Sequence, residues 1–278
     1  MSRDARDQAR ELTAQVVQRL DQLLEPAKGV DLSRFAFTQF QKVALVSVAR
    51  ARDLVDSIRM LGEAGYVEQA GTLLRSLFEL HISLDYIARA DSETRVQRFL
   101  DYDDVLAYRG HRRVLDLAKR GDRGAQEALD RAQQRIEEIE RGYERFCERH
   151  WKGKGNQERS HWSGLNVYQL CQELDRVMEY LAVYQRYSEP THSAARSLSK
   201  QLAQTVPEER SGIELRWGKA ESGLLDVLCY ACGYGIRAAL VWTGASEAPS
   251  AVVAPFEALA EEHARVFRPV IRGHEVKR

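Results

Sequence analysis

The chain of 278 residues is poor in the residues that punctuate or staple a fold. It has 6 prolines and no glycine- or serine-rich run, so nothing reads as an interdomain linker. Its 4 cysteines, Cys147, Cys171, Cys229 and Cys232, lack the spacing of a disulfide framework, and a reducing, cytoplasmic setting is expected. The first residues, Met1 to Asp7, are charged and lack the apolar run of a signal peptide. Net charge is also missing: 41 basic and 41 acidic side chains cancel, so no strongly basic surface advertises nucleic-acid binding. A P-loop, a dinucleotide fingerprint and a Gly-x-Ser-x-Gly elbow are all absent, which argues against the common nucleotide-dependent enzymes and hydrolases. Cys229 and Cys232 lack a second Cys or His pair at zinc-finger spacing. His81 with Asp85, and Asp101 with Asp103 and Asp104, have no complement either, so no metal and no cofactor are expected.

What is present is helical periodicity. With 44% hydrophobic residues the chain can bury a core, and the expected fold is all-α, a multi-helix bundle. A single helical domain over 1–278 is expected, with a core at 30–203 and C-terminal helices at 204–278 packing on it. Leu12, Val16, Leu20 and Leu23 mark a surface helix ended by Pro26. Asp31 or Ser33 would cap a second helix, and a short turn at Gly62 to Gly65 folds the third, Tyr66 to Ala90, back on it. A fourth, from Asp91 or Ser92 to Arg120, would turn Val96, Phe99, Leu100, Leu106, Val114 and Leu117 inward. A charged segment from Gly124 to His150 reads as the outer helix of a hairpin or a dimer arm. Asn166 would cap the stretch containing Tyr168, Leu170, Leu174, Val177, Leu181 and Tyr184. The most apolar stretch, Gly223 to Trp242, contains Asp226 and Arg237 and reads as a buried helix, not a membrane span.

Two segments carry chemistry. Pro190 disfavours helical geometry at Glu189, so the helix bearing Tyr180 and Tyr184 should end near Tyr187, and a new one should start with His192 in its first turn. The positive end of that helix would keep His192 neutral and available as a base. Tyr184 and Ser188 share one helical face, and Arg196 lies one turn beyond His192. A histidine, a hydroxyl and the arginines Arg186 and Arg196 suit metal-independent RNA cleavage, in which the base activates a 2′-OH and a cation meets the phosphate. The plain alternative is a helix-start histidine that satisfies a backbone carbonyl, with Ser188 as a cap. The second segment is the third helix, where Thr72, Arg75, Glu79 and Ser83 form a polar stripe along an otherwise apolar surface.

Four motifs occur in order: Leu74-Arg75-Ser76-Leu77-Phe78-Glu79, Arg98-Phe99-Leu100-Asp101-Tyr102, His161-Trp162-Ser163-Gly164, and Tyr184-x3-Ser188-x3-His192. Through them, over roughly Phe37 to Leu198, the chain resembles a bacterial family known mainly as a domain of unknown function. The resemblance implies an all-α fold and supports pairing of the Arg75/Glu79 stripe with the segment of Ser188 and His192. More distantly, an Arg-x3-Glu helix followed by a helix break bearing histidine is similar to HEPN-type helical domains. Many of those are dimeric, metal-independent ribonucleases of toxin–antitoxin and antiphage systems, and others only bind or scaffold. That resemblance implies a homodimer acting on RNA in defence or growth control. His192 would be the base, Arg186 or Arg196 the phosphate contact, and Arg75 with Glu79 their support. Tyr187 stands where a small polar or basic residue is usual, which leaves Ser188 as the substitute. It equally admits a non-catalytic module that binds a protein partner or small ligand.

Overall fold

A computed structural model describes residues 3–31, 35–151, 161–191 and 223–268. Every regular element among them is helical, and none is a strand. The chain divides into two compact units, one formed by residues 1–90 and 167–278, the other by 91–166 inserted between those segments.

In the first unit, α1 (Arg3–Leu24) buries Ala9, Leu12, Val16 and Leu20 on one face and passes into a short 3-10 turn containing Pro26. Helix α2 (Gln39–Glu63) starts later than Asp31 or Ser33, because the capping box lies at Thr38 and Gln41. The Thr38 hydroxyl accepts from the Gln41 amide while the Gln41 side chain accepts from the Thr38 amide, satisfying two orphan donors together. A tight turn through Gly65, at φ +87°, leads to α3 (Val67–Arg89). Leu74, Leu77, Phe78, Ile82, Leu84 and Ile87 of α3 are buried. After α6 (Val167–Glu173) comes α7 (Val177–Glu179), then a wide π turn over Tyr180–Gln185, then α8 (Arg186–Thr191).

The centre of this unit is α9 (Leu224–Ala245), which packs on α1, α2, α3 and α10 (Ser250–Val266). It is long and apolar enough to cross a membrane by composition, yet two thirds of its most apolar window is buried against these neighbours. Small residues permit that crowding. A Cβ at Gly235 would sit 3.1 Å from Val55 and 3.3 Å from Val16. Cys229 and Cys232 are buried in the same helix, as structural thiols would be.

In the second unit, α4 (Ser92–Lys119) and α5 (Arg123–Phe146) form an antiparallel hairpin. Gly121 turns the chain at φ +86°, and the Asp122 carboxylate caps α5 by accepting from the Ala125 amide at 2.9 Å. A π turn, Cys147–Trp151, ends α5. It is tied back to α4 through Asp101, which accepts from Gln97 (2.6 Å) and Arg149 (2.8 Å) and lies 2.8 Å from His150 Nε2. Burial alone would raise the Asp101 carboxyl, but these bonds outweigh it and hold the group below its ordinary value. The expectation that α4 turns all its apolar residues inward is corrected. Val96 is buried, but Leu100, Leu106 and Leu117 are exposed. A helix whose main partner is a single second helix has one face to bury, and apolar residues elsewhere on its circumference stay outside.

Candidate functional site

Three of the expected site residues come together on the first unit. Helix α3 presents Arg75 and Glu79 one turn apart, and their side chains pair at 2.9 Å. The Arg75 guanidinium lies over the Tyr184 ring at 4.6 Å and donates to its hydroxyl at 3.1 Å. Tyr184 stacks on Tyr180 at 5.1 Å, and Tyr168 meets Tyr180 edge-on at 5.2 Å. The result is an arginine-capped tyrosine ladder on one face of the unit.

The expected helix end near Tyr187 is not found. The helical path continues through Tyr187 and Pro190 to Thr191, and the irregularity is instead the π turn upstream. A proline removes only one donor when it falls in a last turn, and packing here outweighs that loss. Val183 and Tyr187 are buried, and Tyr187 seats on Gly71 of α3 so closely that a Cβ there would lie 2.1 Å from its ring. Tyr187 is thus a packing residue, and burial lifts its phenol to about 12. Arg186 pairs with Asp226 of α9 at 2.9 Å. Ser188 donates to the Tyr184 carbonyl of its own helix, a bond internal to the turn. His192 and Arg196 lie outside the described residues.

A second polar cluster had only partial signals in the sequence. His81 and Asp85 are i,i+4 on α3, and a charged Arg237 in an apolar helix demands a partner. Arg176 places Nε 3.0 Å and Nη2 2.9 Å from one Asp85 oxygen, and its Nη1 2.7 Å from Glu179. Arg237 shares Glu179 at 3.3 Å and reaches His81 Nε2 at the same distance. The turn that aims Arg176 is held by Asp175 in the left-handed region at φ 58°. Two acids and two arginines therefore balance around a sealed imidazole that stacks on Tyr234 at 4.8 Å. Burial, then Arg237 and Arg176, push His81 well below the ordinary imidazole value, so it is neutral. Burial also raises Asp85 despite both arginines. The cluster ties α3, α7 and α9 together, and its charges are already matched within it.

The comparisons with known proteins follow the same geography. A model of a family of unknown function, DUF5677, matches residues 41–209. The chain belongs to that family. Searches of curated proteins and of solved structures find no match. The family span holds Arg75, Glu79, Tyr184, Arg176 and Glu179, whereas Asp226, the partner of Arg186, and Arg237, the partner of Glu179, lie beyond it.

These burials set a pH dependence. His81, His161 and His263 are each held below the ordinary imidazole value by burial first, His161 down to about 4. In the unfolded chain each titrates near 6.5, so that state takes up these protons first as the pH falls. The stability they contribute is complete above about 6.5 and is lost as the pH drops toward the folded values. Asp85 runs the other way, since a raised carboxyl favours the folded state on acidification. With three groups against one, the thermal unfolding midpoint is expected to fall steadily between pH 7 and about 4. A midpoint that holds level over that range would show that the folded chain does not hold these imidazoles neutral.

Proposed function

We propose that the chain is a HEPN-like helical module that binds a protein partner or a small ligand through the face of Arg75, Tyr184 and Tyr180, and that it does not itself cleave RNA. The observation that carries this reading is the engagement of the described groups of the expected catalytic set. Arg186 is paired to Asp226, Ser188 to a backbone carbonyl, and Arg75 to Glu79 and Tyr184. A binding role is further supported by what surrounds the ladder. Tyr168, Met178 and Leu181 are each about two-fifths exposed beside it. Tyrosine, methionine and arginine are the residues enriched in interfaces. A cytoplasmic setting belongs to this reading, and the cysteines are all free.

The competing reading is a homodimeric, metal-independent ribonuclease of defence or growth control, with His192 as base and Arg186 released from Asp226 to meet the phosphate. Arg186 favours it in one respect, because its side chain is 48% exposed and an exposed pair is cheap to break. Incubation of the purified chain with total RNA and tRNA in EDTA separates the two, with His192→Ala compared after both are shown to be folded. Intact RNA with either protein is the expected result. Cleavage by the wild type that vanishes in the variant would replace the binding reading with the nuclease.

A further inference from the structure

The overall charge of zero hides a segregation in the second unit. Between Arg109 and Arg123 the chain has six arginines and lysines against two aspartates. These residues form the last three turns of α4, the Gly121 turn and the first residue of α5, the tip of the hairpin. Arg112, Arg113, Lys119, Arg120 and Arg123 are all exposed, and none makes an ion pair among the described residues. Asp122 is occupied in capping α5, which leaves Asp116 as the one free acid of the segment. Other arginines of the chain are handled differently: Arg52, Arg59, Arg176, Arg186 and Arg237 of the first unit and Arg149 of the second each pair with carboxylates.

A second feature of the tip has the same sign. Helix α5 has no acidic residue in its first turn and begins with Arg123, so a cation sits at the positive end of a 24-residue helix dipole. The Asp122 carboxylate that caps this end is engaged with the Ala125 amide, and Arg123 adds its charge to the tip without an ion pair among the described residues. Arg112 and Arg113 stand seven residues before Lys119 and Arg120, so two cationic pairs lie about 10 Å apart along α4. The spacing suits successive phosphates better than a single small anion. Arginine dominates over lysine, and its guanidinium forks onto phosphate oxygens. The exposed leucines of this part of α4, Leu106 and Leu117, offer too little apolar surface to hold the tip in a membrane.

We infer that the α4–α5 tip binds the phosphate backbone of nucleic acid, with Arg112, Arg113, Arg120 and Arg123 as its contacts. This surface is separate from the ladder face of the first unit and does not depend on the function proposed for it. The test is fluorescence polarisation of the full chain with a labelled single-stranded RNA of mixed sequence, titrated at several salt concentrations from about 50 to 200 mM. Arg112→Gln with Arg113→Gln, and Arg120→Gln with Arg123→Gln, are each expected to weaken binding roughly tenfold. Each should reduce the slope of log affinity against log salt by about 1.4, two contacts at about 0.7 each. A control that removes the same charge elsewhere, Lys28→Gln with Arg50→Gln, should change neither quantity. All six substituted side chains are exposed, and circular dichroism checks that each variant is folded. No polarisation change at about 50 mM salt overturns the inference. So does binding that the control weakens as much as the tip variants, or binding to phosphatidylserine vesicles with none to RNA.

Discussion

Arg176→Ala is expected to lower the stability of the first unit by about 3 kcal/mol or more, the lower end of the range for breaking one side of a buried ion pair. The reason is what it leaves behind. Asp85 and Glu179 both lose their shortest partner, while Arg237, at 3.3 Å from Glu179, does not reach Asp85 among the bonds it makes. Side chains of Arg176 and Glu179 are about one-fifth exposed, so water screens part of the loss, and the upper end of the range, about 5 kcal/mol, is not expected. Removing the acid together with the cation should recover much of it. Arg176→Met with Asp85→Asn leaves no uncompensated charge on that side and is expected to be milder than Arg176→Ala alone. Urea unfolding followed by circular dichroism compares both variants with the wild type. A change below about 1 kcal/mol for Arg176→Ala would reduce the network to an ordinary surface pair.

Gly71→Ala is the second large effect. The added methyl would lie 2.1 and 2.4 Å from two carbons of the Tyr187 ring, and a flat, buried ring has nowhere to slide. Overpacking of this kind costs about 1–3 kcal/mol, against about 1 kcal/mol gained because alanine is the better helix former. With contacts as short as 2.1 Å the cost belongs at the upper end of that range, so a net loss of up to about 2 kcal/mol is expected. The argument is sharpest in combination. Tyr187→Ala alone should cost about 3 kcal/mol or more through the cavity it opens. Adding Gly71→Ala to that variant should be neutral or stabilising, since the clash has gone and the propensity gain remains. Gly110→Ala in α4, where a Cβ meets nothing within 4 Å, serves as the control and should stabilise slightly. Additive losses at Gly71 and Tyr187 would mean that they do not oppose each other.

The same residues show what a sequence reveals and what it withholds. Regular apolar spacing made α1, α2 and α3 legible, including the turn at Gly62 to Gly65, because one buried face imposes one period. The Thr38–Gln41 capping box was also written in the sequence, but an aspartate and a serine upstream are equally good caps in isolation. Only the packing of α2 selects among them, with the Gln41 side chain also donating to the Ala245 carbonyl at the end of α9. Pro190 misled for a related reason. Local geometry penalises helix at Glu189, while the contact that holds the helix there is Gly71 against Tyr187, more than a hundred residues apart in sequence. Arg75, Glu79 and Tyr184 were identifiable as a group. The partners of Arg186 and Arg237 were not, because neither Asp226 for Arg186 nor Glu179 for Arg237 shares an element with the residue it neutralises.

The π turn at Tyr180–Gln185 acts on direction. Each residue of an α-helix advances the azimuth by about 100°, whereas a π turn winds less per residue and absorbs about one residue more, so regular α-helix of the same length there would turn everything after it by about that angle. Tyr187 would swing off Gly71, Arg186 would swing off Asp226, and the chain would leave Thr191 on a different bearing. The wide turn is a spacer in angle as much as in length. A homologue of the same length with regular α-helix there could keep every side chain named above and still carry Tyr187 away from Gly71.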